Sequence, residues 1–142
     1  MDLTVRNHSV DAARPAVVVA PDATLRSVAT HLWEQGVGAA IVPGATATAT
    51  AIAGVISERD IVGQLAIGAD PDIVTAEQAM SRNVISAQPA DPLLDVVFLM
   101  LDAAVRHIPV IDDDLDQVLG VVSMRDLLQP LLVDRFGGTP PT

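Results

Sequence analysis

At 142 residues the chain can form one compact domain or two small halves sharing a core; 50% is hydrophobic but only 2% aromatic, so Val, Leu, Ile and Ala must fill the interior. A formal charge of −10, with arginine the only basic residue besides histidine, disfavours nucleic acid and anionic membrane surfaces, which are gripped through Lys and Arg. The lack of cysteine removes disulfides, thiolate metal sites and cysteine nucleophiles together.

Residues 1–13 mix polar and apolar types without a period and read as an arm. Ala16-Val17-Val18-Val19 is a β-branched run predicted as a strand, leaving through the turn Pro21-Asp22. Leu25, Val28, Ala29, Leu32 and Trp33 then recur at helical spacing, which predicts an amphipathic helix with Trp33 in the core, capped by Asp22 or Thr24 and ended by Gly36. Gly38 to Val42 and Ile52 to Ile56 are the next two strands, joined across the Ala/Thr run Ala45 to Ala51. A helix opened by Ser57 should bury Ile61, Val62 and Leu65 and stop at Gly68.

Residues 68–79 form a connection with a short helical turn marked by the Thr75-x-x-Gln78 capping box. The plan then recurs. Val84 to Ala87 is predicted as a strand, followed by a turn from Pro89 to Pro92 and a helix stripe of Leu93, Val96, Val97, Met100, Leu101 and Ala104, with Met80 also given a core role. Arg106 to Ile111 and Val118 to Val122 are strands around the acidic turn Asp112-Asp113-Asp114. The last helix carries Leu127, Leu128, Leu131 and Leu132, and Pro130 predicts a kink or early break in it. Residues 137–142, rich in Gly and Pro, are expected to be disordered.

The recurrence is most exact in one stretch. Gly54-Val55-Ile56-Ser57-Glu58-Arg59-Asp60-Ile61-Val62 matches Gly120-Val121-Val122-Ser123-Met124-Arg125-Asp126-Leu127-Leu128 in chemistry at nearly every position. The shift is 66 residues here and 68 between Pro21 and Pro89, so the first copy carries two extra residues, placed in the Ala/Thr run. Each stretch is a strand running into a helix whose Ser-x-x-Asp start is a capping signature. Most such tetrapeptides only cap; an Arg beside the Asp, twice, is more than capping requires. A helix start also offers backbone donors and a positive dipole to a phosphate or hydroxyl-rich ligand. The Asp suits hydroxyls and the Arg a phosphate.

A strand–helix–strand–strand–helix unit written twice, each closed by Gly-apolar-apolar-Ser-x-x-Asp, resembles the CBS (cystathionine β-synthase) domain pair, or Bateman module, from about Arg14 to Asp134. The run Val105-Arg106-His107-Ile108-Pro109-Val110-Ile111-Asp112 adds to the likeness. The resemblance implies an α/β (α+β) fold of two tandem repeats, 14–67 and 80–136, related by a pseudo-two-fold axis with ligand clefts between them. It implies a stand-alone regulatory module that binds an adenine nucleotide (AMP, ADP or ATP) or S-adenosylmethionine, with no obligatory cofactor and no catalysis. In the preferred second site, Asp126 holds the ribose, Ser123 and Arg125 lie beside the phosphates, and Arg106, His107, Ile108 and Pro109 with Asn83, Val84 and Ile85 border the base. The first site, with Ser57, Arg59 and Asp60, departs from the pattern, since Ala39, Ala40 and Ile41 stand for His107, Ile108 and Pro109, and Ala16 and Val17 for Val84 and Ile85. His107 reads equally as a packed strand residue.

His8, His31 and His107 lack metal-ligand spacing, the triple aspartate reads as a solvated turn, and no phosphate loop or nucleophile elbow occurs, so neither a metal nor an enzyme reading has residues to name. The apolar stripes of the two motif helices predict a homodimer. A cytoplasmic location and a protein effector complete the expectation; a dimeric scaffold with vestigial clefts is the alternative.

Overall fold

The structure is a computed structural model that describes residues 16–44 and 51–136. The arm, most of the Ala/Thr run and the tail lie outside the described residues. The described chain divides into two compact units between Ile85 and Ser86.

In the first unit, helix α1 (Leu25–Gln35) begins where Thr24 Oγ1 accepts the Ser27 amide and ends at Gly36, whose φ of 64° is the left-handed cap that glycine allows. Strands β1 (Ala39–Pro43) and β2 (Ile52–Ser57) pair antiparallel, with Ala39 opposite Ser57 and Ile41 opposite Val55. Helix α2 (Glu58–Ala66) follows β2 directly, and α3 (Ala76–Ala79) starts at the predicted Thr75–Gln78 capping box. Leu25, Val28 and Leu32 of α1 pack with Ala40, Val42, Ile56, Ile61, Ala76 and Met80 into the core of this unit.

Residues 70–82 are fastened to this unit. Leu25 and Arg26 amides donate to Val74 and Pro71 carbonyls, Ala76 and Glu77 amides to Ala23 and Pro21, and Ser81 exchanges two bonds with Val55 at 2.9 and 3.0 Å. Gly54 makes the last pairing feasible. A Cβ there would stand 2.4 Å from Met80 Sδ and 2.7 Å from the Ser81 carbonyl oxygen. The compact units therefore part after Ile85, whereas the sequence repeat puts its second copy from residue 80.

The second unit repeats the plan with α4 (Leu93–Ala103), β3 (His107–Asp112), β4 (Gln117–Ser123) and α5 (Met124–Phe136). His107 lies opposite Ser123, Ile108 opposite Val122 and Val110 opposite Gly120. Asp112 Oδ1 accepts the Asp114 and Leu115 amides, which closes the acidic turn.

The two predicted leading strands shrink to single parallel bridges, Val18 with Ile41 and Ala87 with Val110. Proline accounts for the difference between them. In the first unit Ile41 donates to Val17 and accepts from Val19, whereas in the second Ala87 donates to Pro109 and accepts from Ile111. Pro43 and Pro109 occupy the positions that lack an amide donor, so each half keeps a different pair of bonds.

Four helical expectations change. Trp33 is 87% exposed, because Leu25, Val28 and Leu32 define the buried face and the next residue lies about 100° around the helix. Val62, Leu65 and Leu101 are exposed as well, leaving Ile61 as the buried side chain of α2. Ala104 is not on the α4 stripe but caps that helix in the left-handed region, with φ 56°. Helix α5 continues through Pro130 to Phe136, so the missing proline amide costs one helical bond without ending the helix.

Candidate functional site

Each doubled motif places its serine as the last residue of a strand and its aspartate in the first turn of the next helix. In the first, the Ser57 amide donates to Asp60 Oδ2 at 2.8 Å, the Ser57 hydroxyl donates to the same oxygen at 3.1 Å, and the Asp60 amide donates to Ser57 Oγ at 3.3 Å. In the second, the Ser123 amide reaches Asp126 Oδ2 at 3.0 Å and the Asp126 amide reaches Ser123 Oγ at 3.1 Å. Both are reciprocal capping boxes. The plain capping reading of Ser-x-x-Asp is thus realised, and it fixes the carboxylate.

One carboxylate oxygen remains. Among the described residues Oδ1 of Asp60 and of Asp126 takes part in no hydrogen bond or ion pair, and both side chains are half-buried. Such an oxygen, held by a cap and still reachable, can accept from a ligand hydroxyl without paying a large ordering entropy.

The helix starts are stitched to the preceding strand. The Glu58 amide donates to the Gly38 carbonyl at 2.9 Å, and the Met124 amide to the Arg106 carbonyl at 2.8 Å. With the third amide given to serine, two of the first three donors of each helix are used internally. The anion attraction expected of a bare helix start is reduced accordingly, and arginine must supply more of it.

Here the two copies diverge in charge. Around the first motif stand Glu58, Arg59 and Asp60, summing to −1; around the second stand Arg106, Arg125 and Asp126, summing to +1. Arg59, Arg106 and Arg125 are exposed and form no ion pair among the described residues. A phosphate is therefore better served at the second motif. This asymmetry was legible in the repeat, as Glu58 against Met124 and Gly38 against Arg106, and sequence reasoning passed over it.

The second unit brings Arg106, His107, Ile108 and Pro109 beside Ser123, Arg125 and Asp126 through the β3–β4 pairing. Ile108 and Pro109 are fully buried and serve as packing, while His107 is half-buried. Asn83, Val84 and Ile85, predicted to border the same ligand, fall in the other compact unit. The first unit holds all its predicted residues together: Val17 bonds Ile41, Ala16 adjoins it, Ala39 and Ala40 face Ser57 and Ile56, and Arg59 and Asp60 follow. Ala39, Ala40 and Ile41 are buried and lend backbone and packing. No group of three or more His, Asp or Glu among the described residues is arranged to hold a metal ion, and no described helix is long and apolar enough to cross a membrane.

Two α/β halves of the same plan, each closing on a capped Ser-x-Arg-Asp helix start, define a paired-repeat module. Residues 74–132 match the model of the CBS domain, which places that stretch of the chain in the family. The chain is 32% identical over 125 residues to an uncharacterised protein of Methanopyrus kandleri, covering 86% of this chain and 62% of that one. The curated relatives are longer, and the chain spans 54% to 66% of their lengths. Among solved structures, a CBS domain protein of Pyrobaculum aerophilum complexed with AMP is 29% identical with a TM-score of 0.73, covering 88% of this chain and 94% of that one. A CBS domain pair solved with 5′-methylthioadenosine and S-adenosyl-L-methionine has a TM-score of 0.75 at 23% identity, covering 95% of this chain and 99% of that one. The tandem CBS fold expected from the repeat is the fold observed.

Proposed function

We propose that the chain is a regulatory module that binds an adenine nucleotide (AMP, ADP or ATP) or an adenosyl compound such as S-adenosylmethionine. The observation that carries this reading is the second oxygen of Asp126, fixed by the Ser123 cap and left without a partner among the described residues. Asp126 accepts from the ribose hydroxyls, Arg125 and Arg106 meet the phosphates, and His107 borders them. Asp60, Ser57 and Arg59 form the weaker counterpart, opposed by the charge of Glu58. The AMP and S-adenosyl-L-methionine complexes of the structural relatives support the ligand class. No catalytic step is assigned to any residue. The module acts in the cytoplasm as a homodimer through exposed apolar residues of its motif helices, Val62 and Leu65 on α2 and Leu128 and Leu132 on α5, and passes ligand occupancy to a protein effector.

The rival reading is a dimeric scaffold with vestigial clefts. It is favoured by the capping boxes, which account for the serines and aspartates without any ligand, but it leaves Arg106 and Arg125 unexplained. Titration calorimetry separates the two. Folded, nucleotide-free protein is titrated with AMP, ADP, ATP and S-adenosylmethionine; saturable heat with one of them supports the regulatory reading, and no heat with any supports the scaffold.

A further inference from the structure

Three replacements separate the surroundings of the two motifs, and all three make the first less positive. The backbone fixes the correspondence. The amide that opens α2 donates to the Gly38 carbonyl and the amide that opens α5 to the Arg106 carbonyl, while Ala39 lies opposite Ser57 and His107 opposite Ser123. Arg106, His107 and Met124 of the second motif are therefore Gly38, Ala39 and Glu58 in the first. A guanidinium and an imidazole are lost and a carboxylate is gained, with Arg59 and Arg125 common to both.

Glu58 is exposed in the first turn of α2, two places before Asp60. An acid there suits the helix dipole, which is the plain reason to find one. That reason does not reach Gly38 and Ala39, which precede the helix by a whole strand pair. The Ser57 hydroxyl is committed as well: it donates to Asp60 Oδ2 at 3.1 Å, so its proton is not on offer to an anion. The first motif thus keeps the carboxylate that suits hydroxyls and lacks the positive charge that suits phosphate.

On the reading that both motifs take adenosyl compounds, we infer that they select different classes of them. The second takes a phosphorylated nucleotide, and the first takes an adenosyl compound whose 5′ group is neutral or cationic. A 5′-phosphate brings a charge of about −1.5 to −2 near neutral pH, which the second motif attracts and the first repels. Neither motif is then the better site for the other's ligand, and the chain holds both classes at once.

Titration calorimetry of the full chain with adenosine and with AMP tests this, because the two probes differ only in the phosphate. Asp126→Asn, which keeps an oxygen for the Ser123 amide, leaves the first motif to report, and Asp60→Asn leaves the second. AMP should bind the second motif about tenfold or more tighter than adenosine does, and the first motif no tighter than adenosine does. Adding Glu58→Gln to Asp126→Asn should improve AMP relative to adenosine by about threefold or more, less at high salt. Wild type gives the same answer should a variant fail to fold: with AMP filling the second motif, adenosine still finds a site on the chain. An equal preference for AMP at both motifs, or a ratio indifferent to Glu58, overturns the inference and leaves the ligand reading standing. No heat from either probe with wild type removes both.

Discussion

Replacing Asp126 separately by Asn and by Ala distinguishes its two tasks. In the structure Oδ2 takes the Ser123 amide at 3.0 Å, while Oδ1 has no partner among the described residues. Alanine removes both oxygens. The lost cap bond should cost about 1 kcal/mol, or about 2–4 °C in Tm for a chain of this size. Asparagine keeps one oxygen for the Ser123 amide, so its stability should stay within about 0.5 kcal/mol of wild type. Both variants lose the charge that would face the ribose, a contact worth about 1.5–3 kcal/mol, or about 10- to 150-fold in affinity. Thermal unfolding without ligand and calorimetry with AMP supply the two readouts. An Asn variant that is stable and binds AMP as wild type does would refute the assignment of Asp126 to the ribose, because it would show that the side chain only caps the helix.

Three further outcomes are expected. Gly54→Ala should lose about 1–3 kcal/mol in urea unfolding, since the new methyl meets Met80 and the Ser81 backbone, whereas Gly63→Ala on α2, where nothing lies within 4 Å, should gain about 0.5–1 kcal/mol. Trp33→Ala should cost less than about 0.5 kcal/mol by the same assay, against the 3–5 kcal/mol usual for a core tryptophan. Arg26 Nε donates to Asp72 Oδ1 at 2.5 Å, and that hydrogen bond holds the Asp72 carboxyl below its ordinary value; what stability the pair contributes is therefore present above the unfolded aspartate pKa and lost as pH falls through the lowered one. An NMR titration of Asp72 should show the depressed midpoint and its upward return in Arg26→Ala or high salt, because both groups are exposed.

Much of this was legible because the chain states its plan twice. The strand pairs, the capping boxes and the glycine stop of α1 follow from local chemistry that one sequence displays: β-branched runs, Ser or Thr three residues before Asp or Gln, and Gly at a left-handed cap. Trp33 was misplaced because apolar character alone cannot tell the centre of a stripe from its flank; Leu32 already fills the buried position. Residues 80–85 read with the second repeat because Arg82-Asn83-Val84-Ile85 lines up with Arg14-Pro15-Ala16-Val17, whereas the Val55–Ser81 bonds hold the segment to the first sheet. The site was half legible. Repetition singled out Ser, Arg and Asp, but only the geometry shows that one Asp oxygen caps while the other has no partner among the described residues, and that strand carbonyls have already taken the first helical amides.

A crystal structure of the protein with AMP at saturating concentration tests the reading most directly. The predicted result is a ribose hydroxyl within hydrogen-bonding distance of Asp126 Oδ1, with the phosphate beside Arg125 and Arg106. AMP bound away from Asp126, or a second motif left empty under those conditions, would contradict it.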